Sequence, residues 1–192
     1  MTPRRAFSDK LSDMSAWAAR YVRLRDRQAD ITRLRSRIDD GALLVDDGKS
    51  PFAVWLVPTP AFQPDNLAAL SRDFGEALSM SVQTVADLVI YDHYVAGAHK
   101  RGLTYAGEAG WIRVIGEPEA WESPTLFSAV KLDELTRELE EDVTDDAIEL
   151  DKAQIEALWK VGRLQEGKTL PHAEPAGLVR AIEKMHKLPS RP

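Results

Sequence analysis

Cysteine is missing from all 192 residues. Its absence excludes disulfides, thiolate nucleophiles and thiolate metal sites, and it fits a reducing cytosol, so a cytoplasmic protein is expected. No run approaches the ~18 apolar residues of a membrane span, and the basic start MTPRRAFSDK leads into no apolar leader segment. No membrane partner is expected. Also missing are a glycine-rich phosphate loop, an HExxH pair, a nucleophile elbow, an internal repeat and any low-complexity tract. With that inventory empty, the sequence predicts no catalytic residue, no metal ligand and no cofactor, and the expected class is a non-enzymatic binding protein.

What is present suits a chain able to bury a sizeable core, with 44% hydrophobic and 29% charged residues. The net charge of −6 is unevenly spread, because ten of the 25 Lys and Arg lie in residues 1–38. A basic arm on an acidic body can reach for nucleic acid, for an acidic protein, or for its own body or a second copy's.

From Ser8 to Asp39 there is no glycine or proline, and Trp17, Tyr21, Leu24, Ile31 and Ile38 recur at spacings of three, four and seven. The spacing predicts one long amphipathic helix whose stripe docks on the body or pairs with another copy, giving a coiled-coil homo-oligomer. Two hairpins are expected. Ala42–Val45 and Phe52–Val57 flank the turn residues Asp47 and Gly48, while Leu103–Ala106 and Trp111–Ile115 flank Gly107 to Gly110. Beyond Glu117 the pattern turns helical, with apolar faces through Leu126 to Leu139, Ile155 to Leu164, and Leu178 to Met185.

Between the hairpins, Asp65–Leu78 and Val82–Ala96 read as two helices separated by Ser79, Met80 and Ser81. Gly75, Leu78, Thr84, Val85 and Leu88 then stand at a spacing that resembles the helix-turn-helix segments of DNA-binding proteins, and the hairpin that follows resembles a wing. The resemblance implies that Gln83 and Thr84 meet bases while Arg20, Arg23, Arg27, Lys100 and Arg101 meet phosphates.

The alternatives are a protein-interaction or mobile-element accessory protein acting through an acidic surface, and a hydrolase-like enzyme. The first draws on eight carboxylates between Glu138 and Asp151 with no base among them. The second needs Leu88–Tyr91 to be a strand, which would put Asp92 and His93 near its end with His99, Lys100 and Arg101 following. His172 and His186 stand isolated. The architecture expected is α+β and predominantly helical: a basic helix over 1–40, a central helix-turn-helix-like unit with two hairpins over 41–122, and an acidic helical region over 123–192.

Overall fold

A computed structural model describes residues 16–37, 43–57, 64–141 and 152–189 of the chain. Its centre is a sheet, which overturns the expectation of a predominantly helical molecule. Seven antiparallel strands lie in the order β2-β3-β1-β4-β5-β6-β7: β1 (Ala16–Arg23), β2 (Leu43–Val45), β3 (Phe52–Val57), β4 (Glu76–Gln83), β5 (Leu88–Val95), β6 (Ala98–Ala106) and β7 (Gly110–Gly116). The helices are α1 (Arg27–Arg35), α2 (Pro64–Phe74), α3 (Glu122–Leu126), α4 (Ala129–Glu141), α5 (Lys152–Val161) and α6 (Pro175–His186).

The long N-terminal helix is replaced by β1, a short connection and α1. The spacing of four puts Trp17 and Tyr21 on one face of a strand as readily as on one stripe of a helix, and Ala19 between them joins that face only in a strand. Leu24 to Asp26 then break the chain, and two carboxylates hold the break. Asp26 caps α1 by accepting from the Ala29 amide at 3.1 Å, and buried Asp30 accepts from the amides of Arg25 and Asp26 at 2.8 and 3.1 Å. Tyr21 and Ile31 are buried on opposite sides of the sheet, Trp17 and Leu24 are half-buried, and Ile38 lies outside the described residues. The expected single stripe is therefore divided between two cores.

The two expected central helices are corrected as well. Only α2 is helical. Gly75, at φ 94°, ends it and turns the backbone straight into β4; a Cβ there would stand 2.1 Å from the Arg25 guanidinium. The run through Leu88 is a strand, buried on the face of Val89, Tyr91 and His93 and half-buried on the other apart from Asp92, and paired with β4 and β6 along its length. Its break from β4 is a 3₁₀ turn at Thr84–Ala86 followed by Asp87 in the left-handed region at φ 44°. The stretch with helix-turn-helix spacing is thus one helix and two strands joined by a 3₁₀ turn, and no recognition helix exists there. Both expected hairpins form, as β2–β3 and β6–β7.

Each face of the sheet carries its own core. Tyr21, Phe52, Leu78, Met80, Tyr91, Leu103, Tyr105 and Trp111 pack beneath Trp121, Leu126 and the α6 residues Leu178, Val179 and Ile182. On the reverse face Val22, Ala53, Trp55 and Ala77 meet Ile31 and Leu34 of α1 and Leu67, Leu70 and Phe74 of α2. No helix among the described residues is long and apolar enough to cross a membrane.

Candidate metal centre

Strand periodicity decides which charged residues can meet. Asp92 and His93 are adjacent in β5, so their side chains leave on opposite faces. His93 enters the face covered by the C-terminal helices, where Tyr91 and Leu78 form the apolar floor.

Three chain segments converge on the His93 ring. Glu76 opens β4, Glu119 lies in the loop between β7 and α3, and His186 is the last residue of α6. His93 Nδ1 stands 2.6 Å from Glu119 Oε1, and its Nε2 stands 3.2 Å from Glu76 Oε1. His186 Nε2 is 3.5 Å from Glu119 Oε2, and the two imidazoles meet edge to face with centroids 5.0 Å apart. One ligand atom from each of His93, Glu119 and His186 falls within 4.8 Å of the others.

Around this group runs a layer of hydrogen bonds. Glu119 Oε2 accepts from the Tyr91 hydroxyl at 2.8 Å and from Trp121 Nε1 at 2.7 Å. The Tyr91 oxygen also lies 3.1 Å from His186 Nε2. Glu76 Oε2 accepts from Arg23 at 2.8 Å. The Glu119 amide donates to Glu122 Oε1 at 2.9 Å, and Glu122 in turn pairs side-on with Arg101 at 2.7 and 2.5 Å. Arg101 and Glu122 are 1% and 0% exposed, so this pair is a fixed internal post behind the Glu119 loop.

Charge follows from this wiring. Burial opposes a proton on His93, but the hydrogen bonds to Glu119 and Glu76 outweigh it and push the ring up to about 9. The bond from His93, helped by Arg23, pulls Glu76 down to about 2. Glu119 falls well below the usual carboxylate range: burial opposes this, but His186, His93 and Trp121 together prevail. Burial drives the Tyr91 phenol well above its ordinary value, so it is a fixed donor. Without a metal, the centre is an imidazolium held between two carboxylates.

The cluster is not sealed. Beside it lies a cleft of about 550 Å³ that His186, Arg23 and Phe52 border directly.

The residues expected to read DNA are dispersed. Exposed Gln83 ends β4 and exposed Thr84 starts the turn beyond it, roughly 23 Å along the strand from Glu76 at ~3.3 Å per residue. Arg20 lies over the Trp55 ring at 5.1 Å on the reverse face. Arg23 pairs with Glu76, Arg27 pairs with Asp46 and donates to the Ser50 carbonyl at 2.5 Å, Lys100 is exposed, and Arg101 is internal. Only Arg23 and Arg27 come together, at the cleft. Asp92 and His93, expected as a pair, are separated by the sheet: Asp92 binds Arg113 at 2.8 Å on the other face, with His99 Nε2 2.9 Å from its second oxygen.

Sequence reasoning missed Glu76, Glu119 and His186. No local pattern marks them, since they lie 17, 26 and 93 residues from His93. No family model matches the chain, and no curated protein or solved structure matches it either.

Proposed function

We propose that this protein is a metal-dependent enzyme for small molecules, in which His93 through Nδ1, His186 through Nε2 and Glu119 hold one divalent transition metal. The observation that carries this reading is the convergence of two imidazoles and a carboxylate, from three distant segments, at the side of a cleft. Nitrogen and oxygen donors without sulfur suit zinc and its first-row neighbours. The separations about Glu119, 2.6 and 3.5 Å, bracket the ~3.4 Å edge of a tetrahedron with 2.1 Å bonds.

The surrounding layer has the form that metal ligands need. With His93 bound through Nδ1, its Nε2–H donates to Glu76, which fixes the tautomer and the ring plane. Arg23 anchors Glu76, while Tyr91 and Trp121 orient Glu119. Three protein ligands leave a position for water or for a substrate oxygen, which the metal would polarise as a Lewis acid.

Calorimetric titration with Zn²⁺ tests the reading: one ion per chain is expected, with binding lost in His186→Ala and Glu119→Gln. Failure of the wild type to take up a stoichiometric ion, or unaltered uptake by both variants, sinks it.

A second reading, attachment to DNA or a protein partner, draws on one observation. Val85 is 81% exposed at the β4–β5 tip, beside exposed Gln83 and Thr84. Retardation of random duplex in a low-salt gel, abolished by changes at that tip, would favour it.

A further inference from the structure

We propose that the cleft beside the His93 cluster binds a small phosphomonoester: a phosphate dianion at its cationic rim and an apolar body against its inner wall. The proposal rests on the metal reading only in placing a metal where that phosphate points.

Four cationic side chains, Arg23, Arg27, Lys49 and Lys187, line the cleft, and no carboxylate does. Two of them are already matched, Arg23 by Glu76 and Arg27 by Asp46. Lys49 and Lys187 make no ion pair among the described residues, and although the Asp47 carboxylate acts electrostatically on Lys49 and Arg27, the cleft keeps a net positive charge. A net positive rim suits the dianion that a phosphomonoester becomes above its second ionisation, near pH 6. A volume of about 550 Å³ suits a small molecule rather than a chain segment.

The two lysines are brought together by built structure. Ser50, itself buried, donates from Oγ to the Lys187 carbonyl at 2.7 Å and accepts from the Phe52 amide at 3.0 Å, so the β2–β3 loop is strapped to the end of α6. Asp47 braces the same loop by accepting from the amides of Lys49 and Ser50, both at 2.8 Å. Arg27 adds a third tie through the Ser50 carbonyl. The backbone of the rim is therefore held in place before any ligand arrives, and the ordering cost of binding falls on the two lysine side chains.

The apolar wall is equally specific. Pro51, just before β3, and the edge of the largely buried Phe52 supply it, and Met185 faces it from α6 with 46% of its surface exposed. Phe52 lies edge-on to His186 at 6.4 Å, which joins this wall to the metal-ligand cluster. Inorganic phosphate would fill the rim alone; phenyl phosphate would fill rim and wall.

The test is calorimetric titration of the full chain with phenyl phosphate, inorganic phosphate and phenol, in EDTA and again with one equivalent of Zn²⁺. Phenyl phosphate is expected to bind at least ten-fold more tightly than inorganic phosphate, to weaken as salt rises, and to lose at least ten-fold in a Lys49→Ala/Lys187→Ala variant. Both lysines are exposed, so that variant keeps its fold. Equal affinity for phenol and phenyl phosphate, no binding in either condition, or an unchanged double variant overturns the proposal. Phenyl phosphate binding in EDTA by a protein that takes up no zinc would support this site and remove the metal reading; zinc uptake with no phenyl phosphate binding would do the reverse.

Discussion

Adjacent residues of β5 build two ionic clusters on opposite faces of one sheet, and they differ in kind. Asp92 is 1% exposed and finds both partners, Arg113 and His99, on the two strands that follow it in the sheet. Its geometry is a product of register: Asp92 opposes Gly102, and the missing side chain there lets His99 lie against the carboxylate. A Cβ at Gly102 would stand 2.7 Å from the His99 ring. His93 instead draws only Glu76 from a neighbouring strand, while Glu119 and His186 arrive from the segment packed above the sheet. The first cluster pairs charges along a surface that would otherwise be poorly covered. The second gathers donors from separate elements at the side of a cleft, an arrangement that sheet stability does not require.

The sharpest way to break this contrast is to remove the post behind the metal-side loop. Arg101→Met strands Glu122 in the interior, and a cost of about 3–5 kcal/mol is expected in urea denaturation. Arg101→Met/Glu122→Leu should recover only part of that loss, because an apolar pair removes the stranded charge but leaves the Glu119 amide and the Ile115 and Gly116 carbonyls without their partners. If the single variant is as stable as wild type, the pair is not the internal post described here.

Next in size is the effect on the proposed metal. His186→Ala should weaken Zn²⁺ by more than about 100-fold, since loss of an outer partner alone typically costs 10–100-fold. Tyr91→Phe, which removes a hydroxyl shared by Glu119 and His186, should weaken it about ten-fold in the same titration. Asp92→Ala separates the two faces most cleanly: a stability loss of about 1–2 kcal/mol, with zinc affinity unchanged within about two-fold. A large zinc defect in that variant would mean that the faces are coupled through β5. Smallest of all is Gln83→Ala, at an exposed strand end, expected within about 0.5 kcal/mol of wild type by thermal unfolding.

Much of the fold was legible where the signal is local. Asp47-Gly48 and Gly107 to Gly110 mark turns by their backbone chemistry, and both hairpins stand where they were expected. The face of α6 carrying Leu178, Val179 and Ile182 is buried as its spacing implies. The central region failed for a different reason. Val82–Ala96 contains no glycine, proline or asparagine, so it reads as too long for a strand; the break falls at Thr84–Asp87, where Asp87 adopts the left-handed backbone without any of those residues. The acidic run between Glu138 and Asp151 lies mostly outside the described residues.

Composition and local pattern determined that this chain has no thiol or disulfide chemistry, turns at two glycine-marked hairpins and carries an amphipathic helix through Leu178 to Met185. Whether Trp17 and Tyr21 belong to a helix or a strand was decided by tertiary structure, because a spacing of four satisfies both periods and only a neighbouring strand to bond with breaks the tie. The candidate centre belongs wholly to that second category. Glu76, His93, Glu119 and His186 become neighbours only when a helix ends over the sheet and a loop is pinned by an internal ion pair, and no spacing along the chain encodes that meeting.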